Sequence, residues 1–426
     1  MNKIPSQVRT YLLLLLFIFP FVLHAQVLDL NGKNNSVNYE RLAKIDGLIN
    51  EYIKNDWVKG VVTIVVKDNQ VVQYQGYGYA NAQTKTPMEK DELFRIASQT
   101  KALTATGIMI LFEQGKLYLD EPVADFIPEF KNPVVLDKFN PEDSSYTTVP
   151  AKRNITIRDL LTHTSGIDYA GIGSEKMRAI YAKAGLYPGF DLDKKNSLQD
   201  AIKILAKLPL VHQPGEKWTY GLNFDVLGSV IEVISGTSLS DFLTKNIFEP
   251  VGMNDTYFNV PATKANRLAT VYTEDSLHHV VALDKKKSGI DPDYPLVQKT
   301  YFSGGADLTS TAIDYAKFLR MLLNGGTYNG HEILAPRTVE LMTSNQLDFK
   351  FNGVNGFGLS FEVVSNEGAD RGVRNKGTFA WGGYWGTTFW ADPKAHLVCL
   401  IMTQQTPNSH GDLSEKFKDM VYASLK

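Results

Sequence analysis

The residues best placed to do chemistry are a serine and a lysine three positions apart, in the stretch Ser98-Gln99-Thr100-Lys101. It is the one Ser-x-x-Lys among the 426 residues. A serine hydroxyl is a weak nucleophile until a neighbouring base takes its proton, and a lysine moved out of water loses proton affinity and can be that base. The alternative interpretation is an N-cap serine followed by a solvated lysine.

A helix following the serine would position this pair. Gly115 is a natural helix stop, and the apolar residues before it recur at helical spacing, at Ala102, Ala105, Met109 and Phe112. This pattern predicts a helix that begins at Ser98, where free backbone N–H groups and the positive dipole end stabilise an oxyanion. Lys101, three residues on, lies on the same helix face as Ser98.

The flanks of this helix resemble the serine β-lactamase and penicillin-binding-protein superfamily. They read Phe94-Arg95-Ile96-Ala97 before the serine and Lys116-Leu117-x-Leu119-Asp120-Glu121-Pro122-Val123 after the helix. They are closest to the class C-related branch, which contains class C β-lactamases, DD-peptidases and family VIII carboxylesterases. The resemblance runs from about Ile53 to the C-terminus. It implies an α+β, β-lactamase/DD-peptidase-like fold, with an antiparallel sheet flanked by helices and an inserted, mostly helical region.

The resemblance supplies a third catalytic residue, Tyr220, which matches the tyrosine of the family's Tyr-x-Asn element. Beside a charged Lys101, its phenol is expected to carry protons between Ser98 and the leaving group. The alternative is a core tyrosine anchored by its hydroxyl. Leu222 stands where the family has asparagine, and Asn223 comes one residue late. Because leucine cannot bond an acyl-side amide, we expect Leu222 to change substrate binding at that position.

The segment Trp381-Gly382-Gly383-Tyr384 aligns with the family's Lys-Thr-Gly strand. Trp381, Gly382 and Gly383 are therefore predicted to bind substrate, with Gly383 letting the backbone approach it. The N–H groups of Ser98 and Tyr384 are predicted to form the oxyanion hole. Trp381 replaces the lysine that would hold a substrate carboxylate.

Three further polar residues could contribute to the site. Arg374 and Lys376 are close enough in sequence to replace the missing cation, but as flanking charges we expect them to be solvated. His163 lies in Leu160–Gly166, a stretch typical of the class C-related branch, and we predict a helix end there with Gly166 as its left-handed cap. We expect His163 to be a hydrogen-bonded structural histidine, not the base.

Composition excludes several other functions. The formal net charge is -2, and there is no basic run of the kind that binds nucleic acid. The eight histidines and one cysteine show no metal-ligand spacing, so we predict neither a metal nor a cofactor. Cys399 lies in an apolar run and is expected to be a buried, inert thiol. The absence of Gly-x-Ser-x-Gly disfavours an α/β-hydrolase.

The first residues predict export. Lys3 and Arg9 precede the short apolar run Tyr11–Leu23, and Ala25 ends a cleavage-like site. We therefore predict a signal peptide at residues 1–25, no membrane span after its removal, and a periplasmic or secreted bacterial protein. Residues 26–426 would form one hydrolase domain, with its sheet at about 40–120 and 300–426 and the helical insertion at about 121–299.

Periodicity predicts the remaining elements. Leu42, Ile45, Ile49 and Tyr52 form a helical stripe, and Val61–Val66 and Val71–Tyr77 form a hairpin. Further helices are predicted at 196–208, 226–234, 240–247, 312–324 and 411–425, and late strands at 378–381, 387–390 and 397–403. The resemblance assigns the early hairpin and the late strands to one sheet.

These features predict a serine hydrolase that acts by an acyl-enzyme on Ser98, with an esterase of small neutral acyl esters as the preferred activity. A class C-type β-lactamase or DD-peptidase is the first alternative. A non-catalytic β-lactam or peptidoglycan sensor is the second, and intact Ser98, Lys101 and Tyr220 argue against it. The expected partner is a small-molecule ester, β-lactam or peptide substrate.

Overall fold

The computed structural model describes residues 27–186 and 197–426. The predicted signal peptide, residues 1–25, lies outside the described residues. The helices are α1 Tyr39–Leu42, α2 Lys44–Lys54, α3 Thr100–Glu113, α4 Ile157–Leu161, α5 Glu175–Lys183, α6 Leu198–Leu205, α7 Asn223–Ser235, α8 Leu239–Leu243, α9 Glu249–Val251, α10 Lys285–Ser288, α11 Ala312–Leu323, α12 Pro336–Met342, α13 Asn366–Asp370 and α14 Leu413–Ala423.

The strands are β1 Gly60–Lys67, β2 Gln70–Asn81, β3 Thr86–Pro87, β4 Phe94–Arg95, β5 Val134–Phe139, β6 Tyr146–Pro150, β7 Tyr272–Glu274, β8 Val280–Ala282, β9 Thr309–Ser310, β10 Thr327–Tyr328, β11 His331–Glu332, β12 Gly356–Phe357, β13 Glu362–Val363, β14 Phe379–Gly383, β15 Thr387–Asp392 and β16 Leu397–Met402.

An eight-stranded antiparallel sheet brings the two ends of the chain together, in the order β12-β13-β14-β15-β16-β1-β2-β3. The last strand, β16, pairs with the first, β1, so that Val62 lies opposite Met402. The predicted hairpin of β1 and β2 and its completion by the C-terminal strands are thereby confirmed.

The sheet is buried on both faces, which explains the unbroken apolar runs in its central strands. Val62, Ile64 and Val66 of β1 belong to the large core cluster that also contains α3, α7 and α11. Val61 and Val65 point the other way, into a second cluster formed with α1, α2 and α14. Cys399 of β16 lies in that second cluster, where burial raises the pKa of its thiol well above the ordinary value.

Helix α3 passes through the protein interior, and every residue from Thr100 to Leu111 is buried. Gly107 allows α7 and α8 to pack closely, because a Cβ there would lie 3.0 Å from both Ile231 Cδ1 and Leu243 Cδ2. The predicted helix therefore exists, but Ser98 precedes it in a short 3-10 turn, Ala97–Gln99. Gly115, with φ of +66°, follows the helix as expected.

Between residues 121 and 299, no described residue contributes a strand to the eight-stranded sheet. This part of the chain contains α4 to α10 and two separate hairpins, β5 with β6 and β7 with β8. The boundaries proposed for the helical insertion stay a prediction. In the described ranges, no single helix is long and apolar enough to span a membrane, although α7 and the helical segment that follows it pass such a test as a pair bent by 81°.

One predicted cap was wrong. Helix α4 ends at Leu161, and the first left-handed residue after it is His163, with φ of +58°, not Gly166. Gly166 also has a positive φ, +87°, but its position is set by packing, since a Cβ would lie 2.5 Å from the His212 carbonyl oxygen. The loop after α4 is therefore pressed against the segment that leads to Tyr220.

Candidate active site

The turn before α3 presents Ser98 to solvent while its neighbours are buried. Ser98 is half-buried, whereas Ala97, Gln99 and Thr100 have no exposed surface. Ala97 adopts φ of +43°, an uncommon conformation for a residue with a Cβ. Such local strain persists only where the surroundings hold it, and here it orients the serine at the start of a rigid helix.

Lys101 lies one turn along, with 1% of its surface exposed. Its Nζ lies 3.3 Å from Ser98 Oγ, 3.2 Å from Tyr169 Oη and 2.6 Å from the Gly305 carbonyl oxygen. An ammonium group has three N–H donors, and each of them has an acceptor here. The predicted pairing of Ser98 with Lys101 is thus present in space, with an arrangement that suits the charged form of the lysine.

Tyr220 completes the contact, because its hydroxyl donates to Ser98 Oγ at 2.5 Å. Two close contacts hold the loop that carries it. The Thr219 N–H donates to the His163 carbonyl at 2.8 Å, and a Cβ on Gly221 would lie 2.0 Å from the Ile167 carbonyl oxygen. The Nζ of Lys101 lies 4.6 Å from the centre of the Tyr220 ring, where a positive charge stabilises negative charge that develops on the phenol oxygen.

A second tyrosine, Tyr169, also contacts Lys101 but plays a different part. Burial, and next the neighbouring Tyr220, raise the pKa of Tyr169 well above the ordinary value of 10.0. Tyr169 therefore stays protonated at neutral pH and serves as an acceptor for Lys101. Of the two tyrosines, Tyr220 is the one with a hydrogen bond to Ser98, so it is the candidate for proton transfer.

The end of β14 lies against the turn that carries Ser98. A Cβ on Gly383 would lie 2.3 Å from the Ile96 carbonyl oxygen, so glycine is needed for this close approach. Tyr384 follows directly, which places its backbone beside the serine turn. The oxyanion hole formed by the N–H groups of Ser98 and Tyr384 stays a prediction, with both residues on adjacent segments.

An aromatic wall surrounds Tyr220. It consists of Trp218, Phe351, Phe357 and Trp381. The Tyr220 ring centre lies 5.7 Å from that of Trp218 and 5.9 Å from that of Trp381. This surface next to the nucleophile is thus apolar and suits apolar substrate groups.

The other predicted substrate residues lie less directly at the cleft. Leu222 is 3% exposed and packs in the core, so it offers a substrate little surface. Gly382 alternates with Trp381 along β14, which directs its side-chain position to the opposite face of the sheet. Arg374 is not solvated as expected, because its guanidinium pairs with Glu362 at 3.2 Å. Lys376 borders a separate surface groove.

His163 is buried beneath Tyr220, with ring centres 4.8 Å apart. Its Nδ1 accepts from the Asn223 amide at 2.8 Å, and the Asn223 oxygen accepts from Ser165 at 2.5 Å. Burial lowers the pKa of His163 well below the ordinary value of 6.5, and the charge of Lys101 adds to this effect. A neutral histidine that supports Tyr220 from below fits the predicted structural role.

Metal ligation finds no support in the described ranges, where no cluster of three or more His, Cys, Asp or Glu side chains has the spacing to hold an ion.

Comparison with known proteins places this geometry in a family. The model of the Beta-lactamase family matches residues 45–420. The chain belongs to the beta-lactamase family. Protein Rv1367c of Mycobacterium tuberculosis is 36% identical over 82% of this chain and 87% of its own length. Esterase EstB of Burkholderia gladioli is 29% identical over 89% of this chain and 95% of its own length.

A solved relative agrees with the fold. The structure titled EstCE1, a hydrolase with promiscuous acyltransferase activity, has a TM-score of 0.77 and 26% sequence identity, and covers 90% of this chain and 99% of its own. The predicted superfamily and the α+β, β-lactamase-like fold class are confirmed. The family and these relatives support a serine hydrolase of the β-lactamase fold.

Sequence reasoning missed several residues around the nucleophile of this beta-lactamase family chain. Tyr169 and the Gly305 carbonyl bind Lys101, yet neither stood out, because one lies after the His163 loop and the other in the Ser303–Thr311 stretch. Asp225 also lies near Lys101. The sequence could have indicated Asp225, because a charged residue among apolar neighbours at the start of a predicted helix is expected to be buried or paired.

Proposed function

We propose that the protein is an esterase that turns over short neutral acyl esters through an acyl-enzyme on Ser98. In the reactive form the Lys101–Tyr220 pair carries one proton fewer than an ammonium group and a phenol together. The Ser98 oxygen bonds to the ester carbonyl carbon, the carbonyl becomes an oxyanion, and the serine proton passes to this pair. The tetrahedral intermediate collapses, and the leaving alkoxide takes that proton. Water then attacks the acyl-enzyme, gives its proton to the same pair, and releases the acid and the serine.

The observation that carries this proposal is the aromatic wall at Trp381, directly beside the hydrogen-bonded Ser98 and Tyr220. A β-lactam or a D-alanyl peptide presents a carboxylate next to the scissile bond, and a charge-assisted hydrogen bond from a cation is the usual way to hold one. Trp381 offers an indole there, and its neighbours Phe351 and Phe357 are aromatic as well. Of the two candidate cations nearby in sequence, Arg374 is engaged by Glu362 and Lys376 borders a separate surface groove.

The names of the relatives support both an esterase and its peptidase alternative. Esterase EstB and EstCE1 are named as an esterase and a hydrolase, and a relative in Escherichia coli, 25% identical, is described as a putative D-alanyl-D-alanine carboxypeptidase. The peptidase alternative therefore has to be separated from the esterase by substrate, not by family.

The test compares kcat/KM for p-nitrophenyl butyrate and for nitrocefin, a carboxylate-bearing cephalosporin, in wild type and Trp381→Lys. We expect wild type to prefer the butyrate, and Trp381→Lys to shift the ratio towards nitrocefin by about tenfold or more, the value of one charge-assisted hydrogen bond. Trp57→Lys controls for added charge, because Trp57 packs against the second core cluster whereas Trp381 packs against the large one, and its ratio should stay at the wild-type value.

Two results would overturn the esterase. One is a wild-type preference for nitrocefin, which would favour the β-lactamase or peptidase. The other is a Trp381→Lys ratio that does not move, because the argument depends on that position. Labelling of Ser98 by a fluorophosphonate or by nitrocefin without any turnover would instead favour the sensor.

A further inference from the structure

A buried carboxylate that the proposed reaction leaves unused faces Lys101. Asp225, in the first turn of α7, is 1% exposed. The Tyr301 hydroxyl donates to its Oδ1 at 3.1 Å. Its Oδ2 has no partner at hydrogen-bond distance within the described ranges, although the Ser303 hydroxyl lies near enough to lower the pKa of the carboxyl. Because burying a carboxylate oxygen without a partner is costly, a compensating interaction is expected nearby.

Gly305 lies beside both the Asp225 carboxylate and the Lys101 ammonium group. A Cβ there would lie 2.9 Å from Asp225 Oδ2, 3.4 Å from Lys101 Nζ and 3.4 Å from Tyr169 Oη. The first two distances together limit the separation of Asp225 Oδ2 and Lys101 Nζ to at most about 6.3 Å. Opposite charges at such a separation shift each other's protonation. Any side chain at 305 would push against Asp225, so glycine lets the two groups face each other across bare backbone.

The other titratable groups around Lys101 do not offer this negative charge. His163 is neutral, since burial lowers its pKa. Tyr169 is neutral, since burial raises its pKa. Tyr220 is the group that exchanges protons with Ser98.

A second buried carboxylate lies further back and has its own partner. Asp307 is bonded to Lys299 at 2.6 Å, and both side chains are buried. Burial raises the pKa of Asp307 to about 7, and the negative charge of Asp225 adds to that rise. Asp225 is therefore the carboxylate available to Lys101. Burial raises the pKa of Asp225 itself, and the hydroxyls of Ser303 and Tyr301 and the charge of Lys101 act in the opposite direction.

We propose that Asp225 is the buried counter-ion of Lys101, a positioning residue that holds the lysine as an ammonium group and leaves Tyr220, as a phenolate in the reactive form, to take the Ser98 proton. The three oxygens around Lys101 Nζ accommodate the three N–H donors of an ammonium group, and the shortest of the three contacts is to the Gly305 carbonyl, which can only accept. This inference rests on the proposed acyl-enzyme at Ser98 but not on which ester is the substrate.

The test uses the rate of Ser98 labelling by a fluorophosphonate, followed by intact-protein mass spectrometry between pH 4 and 10. This reagent needs no knowledge of the natural acyl group. In Asp225→Asn, the acid limb of the labelling rate should move to lower pH by about one to two units, because the Lys101–Tyr220 pair loses a proton more easily without the carboxylate. The rate on the plateau should fall about tenfold or more, because the weaker base pair accepts the serine proton less readily.

Asp314→Asn is the matched control. Asp314 is likewise a buried carboxylate, but it pairs with Lys317 at 2.9 Å on α11, and its replacement should leave the acid limb in place. Tyr301→Phe is the second variant. It keeps the Asp225 carboxylate but removes its hydroxyl partner, and should move the acid limb in the same direction by less than the asparagine does.

The outcomes separate the two proposals. A labelled wild type whose acid limb is unchanged in both Asp225→Asn and Tyr301→Phe, or moves to higher pH, overturns the counter-ion and leaves the acyl-enzyme intact. A wild type that is not labelled at Ser98 overturns the proposed function, and the counter-ion with it. If Asp225→Asn does not fold, the shift in Tyr301→Phe decides.

Discussion

The two tyrosines beside Lys101 allow a matched test of which one moves protons. Tyr220→Phe and Tyr169→Phe each remove one hydroxyl near the same ammonium group and keep the ring. They differ in one contact, because the Tyr220 hydroxyl lies 2.5 Å from Ser98 Oγ and the Tyr169 hydroxyl lies 3.2 Å from Lys101 Nζ.

The expected losses differ in size for a physical reason. A group that carries the serine proton acts in the transition state, and general acid–base catalysis contributes about 10²- to 10⁴-fold, or about 2.7–5.4 kcal/mol at 1.36 kcal/mol per tenfold change. The contact of Tyr169 with Lys101 exists before and during the reaction, so most of its value cancels. We therefore expect the acylation rate constant to fall at least about 100-fold in Tyr220→Phe and at most about tenfold in Tyr169→Phe.

The assay is single-turnover acylation by p-nitrophenyl acetate, monitored through the p-nitrophenol that acylation releases. Thermal unfolding of each variant checks that it is folded. Tyr169 is 6% exposed and Tyr220 is half-buried, so the ring-preserving change should leave both proteins folded. Equal losses in the two variants, or a larger loss in Tyr169→Phe, would refute the assignment of Tyr220 as the proton carrier.

Two further predictions concern stability. His163→Ala should lower the free energy of urea unfolding by about 2–4 kcal/mol, because it leaves a cavity under Tyr220 and an unpaired Asn223 amide. We expect kcat to fall less than about tenfold. An inactive variant that is as stable as wild type would show that His163 is catalytic. Burial raises the pKa of Glu92 from its ordinary 4.5 to about 7, so the native state binds the extra proton and its stability falls as pH rises from about 4.5 to about 7. Glu92→Gln should therefore unfold with a free energy about 1–3 kcal/mol higher than wild type at pH 8 and equal to it at pH 4. A stability gain at pH 4 instead would contradict this reasoning.

Local pattern was enough to predict most of the elements. The β-branched runs of β1 and β16, the stripe Leu42–Tyr52, and the stop at Gly236 after α7 are each decided within a few residues, and the structure has all of them. The cap after α4 was mispredicted because glycine is the usual left-handed residue, whereas here His163 takes that conformation while its carbonyl bonds the Thr219 N–H and its ring bonds Asn223. Propensity cannot anticipate such a contact.

The site divides in the same way. Ser98 and Lys101 lie on one turn, so their spacing alone predicts their proximity, and Tyr220 came from the resemblance. Tyr169 and Gly305 reach Lys101 from 68 and 204 positions away along the chain, and no local signal fixes such distances. Leu222 shows a related limit of sequence reasoning: it lies two residues from Tyr220 along the chain, yet it is 3% exposed and packs in the core, and its substrate contact stays a prediction.

The pairing of β1 with β16 also sets when the chain can fold. About 330 residues separate the two strands, which at synthesis rates of about 5–20 residues per second amounts to about 15–65 seconds. During that interval the Val- and Ile-rich strand β1 has β2 on one side and an unpaired edge on the other, a surface prone to association. The sheet closes once nearly all of the chain has been made, so a chain cut short before Leu397 lacks a central strand and is left with two exposed apolar edges instead of none at that place.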